Sequence, residues 1–302
     1  NNYQVNLDPN FNVVNTIGSK EGLTHLLMSV LNPGDKVVVQ DPSYPIHHFA
    51  PLLARAEAIK INCLNESDFL TELVQTLKKT KIKLLLISFP HNPTTLTVDQ
   101  VFYDNLVELA EKYNFLIVND FAYSDIYFDG NKPPSLLSSD KSLSHSVELY
   151  SLTKGFSMAG WRVGFAVGNK DAISSLTKLK SYIDYGTFQP IQIASTVALN
   201  ELGEYPFELS SVYKERREII VETLKDLDFN VQESKATMFV WAKLPEKFRN
   251  DSLTFSLELL DKSNVAISPG VGFGKYGEGH IRIALVENKQ RIRQAMKNIK
   301  AA

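Results

Sequence analysis

The sequence predicts an α/β protein with a mainly parallel sheet covered by helices on both faces, followed by a smaller C-terminal α+β domain. Short apolar runs alternate with amphipathic stretches through the first two thirds of the chain. The runs are apolar at nearly every position, which is typical of strands buried on both faces of a sheet. After Pro190 the pattern changes to longer, more charged helical segments and a few short strands.

Six apolar runs in the first part are predicted as strands because they are rich in leucine or β-branched residues. They are Lys36 to Gln40, Ala58 to Asn62, Leu84 to Phe89, Leu116 to Asn119, Val147 to Ser151 and Val163 to Val167. The helical patterns in this part are Glu21 to Leu31, Ile46 to Ala54, Phe69 to Lys79 and Gln100 to Tyr113. Strands that alternate with helices indicate parallel pairing, and such sheets bind ligands outside the carboxyl ends of their strands.

The part of the chain after Pro190 is predicted to lead into a second domain. Its helices are Ile191 to Asn200, Phe207 to Leu227, Leu253 to Lys262 and a last one from Lys289. Its strands are Thr237 to Leu244, Val265 to Ser268 and Ile281 to Val286. The long helix near Glu204 marks the joint, so the predicted domains are residues 1–203 and 204–302.

The composition excludes several classes of protein. The 302 residues are 44% hydrophobic and 22% charged, as in an ordinary globular protein. A net charge of −2 provides no broad positive field for nucleic acid or an anionic membrane. The single cysteine, Cys63, forms no internal disulfide, and the longest apolar runs are too short to span a bilayer. We therefore expect a cytoplasmic protein with no nucleic-acid or membrane partner, and no zinc or calcium motif is present.

Lys154 leaves the carboxyl end of a predicted strand, in the stretch Leu149-Tyr-Ser-Leu-Thr-Lys-Gly-Phe156. By position alone it would be an exposed loop lysine about two times in three. Ser151, Thr153 and Arg162 reverse this preference, because two hydroxyls and a guanidinium in reach of one anion are typical of a phosphate site. A lysine beside a bound phosphate suggests a Schiff base to pyridoxal phosphate.

The pyridine nitrogen of that cofactor needs a carboxylate, and Asp120 qualifies because it ends the apolar run from Phe115. The simpler interpretation is a turn or cap aspartate, which is common at strand ends. Tyr123 follows three residues later and brings a phenol toward the same ring, which favours the cofactor role. Asn92 comes at the end of the previous strand in the alternation of strands and helices, although Asn-Pro by itself is merely a turn sequence.

Two further segments are candidates for cofactor contacts. Gly18-Ser-Lys-Glu-Gly22 opens the first helix, where free N–H groups and the helix dipole bind anions. An N-cap at Ser19 explains the same residues equally well. Tyr44, in Asp41-Pro-Ser-Tyr-Pro45, follows the next strand and is placed to stack on an aromatic cofactor, although an isolated tyrosine is more often a packing residue.

Together these segments resemble the class I and II aminotransferases, pyridoxal-phosphate enzymes of the aspartate aminotransferase fold type (fold type I). Ser151-Leu-Thr-Lys-Gly-Phe-Ser-Met-Ala-Gly-Trp-Arg162 is similar to the lysine segment of that family. Gly18 to Gly22 and Pro42 to Pro45 resemble the branch of alanine–glutamate and LL-diaminopimelate aminotransferases. The similarity extends from about Val13 to the C-terminus. The family spacings also match at these pairs: Asn92 to Asp120, Asp120 to Tyr123, Ser151 to Lys154 and Lys154 to Arg162.

The resemblance implies a role for each residue around the cofactor ring. Lys154 would carry the cofactor and then act as the proton-shuttling base. Asp120 would keep the pyridine nitrogen protonated, so that the ring acts as an electron sink. Tyr123 and Asn92 would donate hydrogen bonds to the phenolic oxygen, and Tyr44 would stack on the ring.

The resemblance also implies the residues around the phosphate and the substrate. Arg282, in His280-Ile-Arg-Ile-Ala284, matches the arginine that binds the substrate α-carboxylate in a bidentate manner, and Asn92 lies beside the substrate as well. Ser19 and Lys20 would contribute backbone N–H groups to the phosphate. The full phosphate set implied by the resemblance is Ser19, Lys20, Ser151, Thr153 and Arg162.

The activity implied is transfer of an amino group between an α-amino acid of the alanine, aspartate or glutamate type and a 2-oxo acid such as 2-oxoglutarate or pyruvate. A β-elimination lyase on the same fold and a non-catalytic cofactor-binding regulator are the alternatives. Family members are homodimers with a further N-terminal segment that closes over the site. Because the chain begins at Asn1 rather than with Met, that segment, with its part of the lid and the tyrosine lent to the partner's phosphate, is expected to be missing.

Three other patterns suggest competing sites. Gly272-Phe-Gly-Lys-Tyr-Gly277 matches the dinucleotide fingerprint, but a predicted strand follows it where that site requires a helix, so we expect a glycine-rich loop near the site. Ser151 and Lys154 fit the S-x-x-K of serine acyl-transfer enzymes, whose companion S-D-N and K-T-G motifs are absent. His47 and His48 are adjacent in a helical stretch and face different ways, which excludes a shared metal.

Overall fold

The computed structural model describes residues 2–248 and 251–301, and its larger sheet has seven strands. These are β1 Val13–Thr16, β2 Lys36–Asp41, β3 Glu57–Asn62, β4 Leu84–Ile87, β5 Leu116–Asp120, β6 Ser146–Ser151 and β7 Gly164–Gly168. Their order across the sheet is β1-β7-β6-β5-β4-β2-β3. Strands β2 to β6 pair in parallel, whereas β7 pairs antiparallel with both β6 and β1. The prediction of a mainly parallel sheet is confirmed.

Helices cover both faces of this sheet. They are α1 Ser19–Val30, α2 Pro45–Leu53, α3 Glu66–Lys79, α4 Gln100–Tyr113, α5 Leu152–Gly155, α6 Lys170–Ile183 and α7 Gln189–Glu201. On β2, Val38 belongs to the same buried cluster as Phe69 of α3 and Phe102 of α4. Val37 and Val39, which point the other way, share a cluster with leucines of α1. Each face has its own apolar core, and this is why the strands are apolar at nearly every position.

Helix α6 was not predicted by the apolar pattern. Its buried positions are Ala172, Ile173, Leu176 and Lys180. The ammonium group of Lys180 lies 3.1 Å from a carboxylate oxygen of Glu21 and 2.7 Å from one of Asp184. A charged residue therefore occupies a buried position of this helix, and its pairing with two acids offsets the cost of burying it.

The C-terminal part packs three helices on a small antiparallel sheet of order β10-β11-β9-β8. The strands are β8 Asn230–Val231, β9 Phe239–Lys243, β10 Ser268–Pro269 and β11 His280–Ala284, and the helices are α8 Tyr205–Asp226, α9 Ser252–Ser263 and α10 Lys289–Ala301. The predicted strand Val265 to Ser268 is wrong in its bounds. Asn264 ends α9 in the left-handed conformation, and the chain reaches the sheet only at Ser268.

The two parts of the chain are packed against each other. Ile126 and Phe128, from the segment after β5, belong to the same buried cluster as residues of α8 and β9. Within residues 2–248 and 251–301, we find no helix with both the length and the apolar character needed to cross a bilayer. The segment that follows β5 therefore packs against the C-terminal part of the chain.

Candidate active site

A cavity of about 610 Å³ lies at the carboxyl ends of β2, β4, β5 and β6, where the sheet meets the C-terminal part. All eleven site residues predicted from the sequence line it: Ser19, Lys20, Tyr44, Asn92, Asp120, Tyr123, Ser151, Thr153, Lys154, Arg162 and Arg282. The carboxyl ends of neighbouring parallel strands share one edge of the sheet, which is why residues distant in sequence meet there. Further lining residues, including Ile46, His47, Ser88, Met238 and Val286, were not predicted.

Lys154 lies on the single-turn helix α5, directly after β6. Ser151 caps this helix, because its hydroxyl oxygen accepts the N–H of Thr153 at 3.2 Å. Burial lowers the pKa of Lys154, and the nearby cations Arg162, Arg282 and Lys20 lower it further. The amine is therefore easier to deprotonate than an exposed lysine, as a nucleophile and a proton-transfer base require.

Asp120 ends β5 with its side chain nearly buried. One carboxylate oxygen, Oδ2, lies 3.0 Å from Nε2 of His47, and the backbone oxygen accepts the hydroxyl of Ser88 at 2.9 Å. The other oxygen, Oδ1, is buried without a hydrogen-bond partner among the described residues. A buried carboxylate oxygen needs a donor, so the cavity offers a place for a protonated ring nitrogen.

His47 is a site residue that the sequence analysis missed. The sequence shows it only as one of two adjacent histidines that cannot share a metal. Its Nδ1 lies 2.8 Å from the hydroxyl of Ser43, so Ser43, His47 and Asp120 form one hydrogen-bonded chain. His48 faces elsewhere, with Nε2 3.0 Å from the backbone oxygen of Gln40. One signal in the sequence points to His47, because it lies in the first turn of the helix that follows the predicted site residue Tyr44.

Arg282 reaches the cavity from β11 of the C-terminal part. Its guanidinium lies between two aromatic rings, 4.2 Å from the centroid of Phe239 and 4.5 Å from that of Phe273. Nη1 donates to Oδ1 of Asn92 at 2.7 Å, and Asn92 in turn donates to the phenol oxygen of Tyr123 at 3.4 Å. Nε of Arg282 is buried without a hydrogen-bond partner among the described residues. A planar guanidinium with an unused donor is suited to a carboxylate ligand.

The N-terminus of α1 faces Arg162 across a very short gap. Gly18, and not Ser19, caps this helix, and it does so without a side-chain hydrogen bond, so the N-cap interpretation of Ser19 is wrong. Because Ser19 and Lys20 are the first helical residues, their N–H groups have no intrahelical acceptor. Gly18 has φ of 77°, and a Cβ there would lie 2.2 Å from Nη2 of Arg162. The glycine is what allows the guanidinium to approach these free N–H groups.

The charges that line the cavity are strongly unbalanced. Lys20, Lys154, Arg162 and Arg282 contribute four cations, whereas Asp120 contributes the one carboxylate among the lining residues that the structure describes. Such a cavity attracts anions. A phosphate at the α1 end and a carboxylate at the Arg282 end would both be accommodated, and Asp120, whose Oδ1 has no hydrogen-bond partner among the described residues, lines the same cavity. The residues present therefore fit pyridoxal phosphate with a carboxylate-bearing substrate.

The glycine-rich segment 272–277 is not a dinucleotide site. It forms two 3₁₀ turns, Gly270–Phe273 and Lys275–Gly277, and is followed by strand β11. This agrees with the interpretation of a glycine-rich loop, and Phe273 places the loop beside Arg282.

Comparison with known proteins gives a consistent result. The family model for aminotransferase class I and II matches residues 1–299. The chain is 43% identical over 302 residues to the glutamate–pyruvate aminotransferase AlaC of Escherichia coli (strain K12), covering 99% of this chain and 73% of that protein. It is 40% identical over 302 residues to the LL-diaminopimelate aminotransferase of Halothermothrix orenii, covering 99% of this chain and 77% of that protein.

Solved structures agree with this result. A probable N-succinyldiaminopimelate aminotransferase from Thermus thermophilus superposes with a TM-score of 0.92 at 33% identity, covering 99% of this chain and 80% of that one. The substrate-bound BacF structure from Bacillus subtilis superposes with a TM-score of 0.91 at 34% identity, covering 99% of this chain and 76% of that one. The fold and the site define an enzyme that uses pyridoxal phosphate. The chain belongs to the class I and II aminotransferase family, whose substrates are amino acids and 2-oxo acids.

Proposed function

We propose that this enzyme moves an amino group between an α-amino acid of the alanine, aspartate or glutamate type and a 2-oxo acid such as 2-oxoglutarate or pyruvate. One observation carries the proposal: Lys154, Asp120 and Arg282 line a single cavity, and Asp120 and Arg282 each keep one polar atom, Oδ1 and Nε, without a partner among the described residues. The named activities of similar proteins, glutamate–pyruvate and LL-diaminopimelate aminotransferases, support this class of substrate.

The residues that would hold the cofactor divide into a ring group and a phosphate group. Bound pyridoxal phosphate supplies an electron-withdrawing ring that stabilises negative charge on the substrate Cα. Asp120 would hold the proton on the ring nitrogen, Tyr44 would stack on the ring, and Tyr123 and Asn92 would bond its phenolic oxygen. The phosphate would lie among the N–H groups of Ser19 and Lys20, the hydroxyls of Ser151 and Thr153, and Arg162.

Two residues would act on the substrate itself. Lys154 would take the proton from the substrate Cα and return it to the product, a task for which its lowered pKa suits it. Arg282 would bind the α-carboxylate through Nη2 and its unused Nε, while Nη1 stays bonded to Asn92. The contacts with Phe239 and Phe273 would limit the movement of the guanidinium and so would favour one orientation of the bound substrate.

The proposed function is tested with purified protein and added pyridoxal phosphate. Alanine and aspartate are tried with 2-oxoglutarate, and glutamate with pyruvate. We expect the matching oxo acid as product, with conversion of the cofactor to its pyridoxamine form. Release of pyruvate, ammonia and sulfide from added cysteine, which carries a leaving group on Cβ, without transamination of the other amino acids would indicate an elimination lyase, and cofactor binding without turnover would indicate a regulator. Either outcome contradicts the proposal.

We also propose that the working protein is a homodimer in the cytoplasm. Tyr182, Tyr185, Phe188 and Ile193, around the junction of α6 and α7, expose between 59% and 91% of their surfaces. Exposed apolar groups of this size mark interaction surfaces, and a second copy of this chain is the proposed partner. The near-neutral charge and the single buried cysteine support the location.

Light scattering tests the homodimer. We expect the mass of a dimer, and a Tyr185→Asp/Phe188→Asp double variant should shift it toward the monomer. Val101→Asp places a charge on another exposed apolar position, on α4, where the side chain is 61% exposed, and serves as the control. A monomer before any substitution contradicts this part of the proposal.

The proposed domain division is residues 1–203 and 204–302. The buried clusters on the two faces of the larger sheet contain only residues before position 204, and the cluster around the smaller sheet comes mostly from residues after it, joined by Tyr123, Ile126 and Phe128. Residues 1, 249–250 and 302 lie outside the described part of the chain.

A further inference from the structure

We propose that Asp41 is a positioning residue, which holds the glycine-rich loop 270–277 against the end of β2 and thereby keeps Phe273 beneath the guanidinium of Arg282. The proposal rests on the proposed function, because it concerns how Arg282 is oriented for a substrate carboxylate. No residue of the cofactor site makes this contact, and Asp41 is absent from the cavity wall that the structure describes.

Asp41 is a completely buried carboxylate at the last position of β2. Its Oδ1 accepts the backbone N–H of Tyr276 at 3.1 Å, across 235 residues of sequence. Its Oδ2 has no hydrogen-bond partner among the described residues, and the nearest cation is Lys60, with Nζ 3.9 Å away and a side chain 42% exposed. A buried carboxylate with so few partners does not stabilise the fold by itself. We therefore attribute its presence to the bond that it forms with the loop.

The loop is shaped to lie directly on this carboxylate. Gly274 has φ of 133°, and a Cβ there would lie 2.2 Å from Oδ1 of Asp41. Any other residue at position 274 would displace the carboxylate of Asp41 or the loop, so this contact depends on a glycine there. A second bond continues the contact, because the N–H of Ser43 donates to the backbone oxygen of Phe273 at 2.8 Å. Residues 41–43 and 273–276 therefore form a continuous seam between the two parts of the chain.

The seam has a direct consequence for Arg282. Of the two rings that flank its guanidinium, Phe239 is held by strand pairing, since β9 pairs with β11. Phe273 lies outside the strands, in a 3₁₀ turn, and its position depends on what holds the loop. The next residue after Ser43 is Tyr44, the proposed stacking residue for the cofactor. The seam thus sets the distance between the cofactor side of the cavity and the carboxylate side.

Steady-state kinetics of the holoenzyme test the positioning role. In Asp41→Ala we expect the KM values for the amino acid and the oxo acid to rise together by about tenfold, because both carry the carboxylate that Arg282 binds. The kcat should stay within about twofold, as for lost ground-state binding. Asp41→Asn keeps an acceptor oxygen for Tyr276 and should restore both KM values.

Glu72→Ala is the matched control. Glu72 accepts the N–H of Asn62 at 2.9 Å, and Asn62 is the residue that pairs with Asp41 in the sheet. The control therefore removes a carboxylate that bonds the neighbouring strand end and leaves the seam in place. We expect its KM values to match those of the unaltered enzyme. Equal KM changes in both variants, or an unchanged KM in Asp41→Ala, overturn the proposal.

Two readouts need neither substrate nor activity. Hydrogen exchange of the Tyr276 amide should be faster in Asp41→Ala than in Glu72→Ala. The chain has two tryptophans, and in a Trp161→Phe background the emission of Trp241, whose ring centroid lies 6.1 Å from that of Phe273, should change with Asp41→Ala. Unchanged exchange overturns the seam, and faster exchange with unchanged KM overturns the positioning role. If the unaltered chain fails to transaminate, the proposed function is wrong, whereas the exchange result still decides whether Asp41 holds the loop.

Discussion

Nε2 of His47 lies 3.0 Å from Oδ2 of Asp120, although the two residues are 73 positions apart in the sequence. The imidazole is almost fully buried, and its other nitrogen, Nδ1, lies 2.8 Å from the hydroxyl of Ser43. This contact occupies one oxygen of the carboxylate and leaves Oδ1, which has no partner among the described residues, for the proposed bond to the ring nitrogen of the cofactor. The imidazole of His47 therefore orients the carboxylate of Asp120.

Replacing His47 should weaken the function of Asp120 without removing the carboxylate. In His47→Ala we expect kcat to fall by about 10- to 100-fold, the effect of losing one hydrogen bond to a charged group. His48→Ala is the matched control, since the neighbouring ring bonds the backbone oxygen of Gln40 instead. Single-turnover kinetics with both variants checks this, and equal losses in the two would remove His47 from the site.

Lys154→Ala should abolish transamination while the fold is retained. The same side chain would bind the cofactor covalently and move the proton, so no neighbour replaces both roles. The unaltered protein should show a visible absorption band when loaded with pyridoxal phosphate. A variant that keeps this band without added amine, or that retains turnover, contradicts the assignment of Lys154.

Asp120→Asn should lower turnover by orders of magnitude with only a small change in cofactor affinity. An amide cannot hold a proton on the ring nitrogen, so the transition state loses electrostatic stabilisation. The proposed phosphate contacts of Ser19 and Arg162 are not affected by this substitution. Cofactor titration and kcat, measured on the same preparation, separate the two effects, and near-normal turnover would exclude Asp120 from the mechanism.

The reaction of the apoprotein with pyridoxal phosphate should depend on pH through Lys154. Its pKa lies below the usual 10.5 because of burial and the neighbouring cations. A protonated amine does not add to the cofactor aldehyde, so the rate should rise with pH through that lowered pKa. Lys20→Gln removes a like charge, which favours protonation and should move the midpoint to higher pH. The exposed Lys225→Gln should not move it, and a shift in the opposite direction for Lys20→Gln would refute the charge argument.

Gly18→Ala should weaken cofactor binding by about tenfold or more. The added Cβ would lie 2.2 Å from Nη2 of Arg162 and would force the guanidinium away from the N-terminus of α1. Gly34→Ala is the matched control, because Gly34 has a similar φ of 83° and open space around its Cβ position. Both variants share the backbone strain, so the difference in their cofactor affinities isolates the contact with Arg162. If the two variants bind the cofactor with equal affinity, Arg162 does not bind the phosphate.

The sequence by itself determined the alternation of strands and helices and the residues at the strand ends. Asp120 ends β5 and Lys154 follows β6, and neighbouring parallel strands end at one edge of the sheet. These residues are near one another by topology alone. The hydrophobic pattern did not predict α6, because the charged residue Lys180 occupies one of its buried positions. Acids at positions 21 and 184 pair with this lysine.

The tertiary structure alone decided the contacts that orient the site residues. The bond of His47 to Asp120, the seam between Asp41 and Tyr276, and the placement of Phe273 against Arg282 join segments with no periodic or spacing relationship. A turn or helix pattern reports local hydrogen bonding and burial, which depend on residues a few positions apart. The orientation of a carboxylate or a guanidinium depends on which distant side chain packs beside it, and that is settled only when the sheet and the C-terminal part come together.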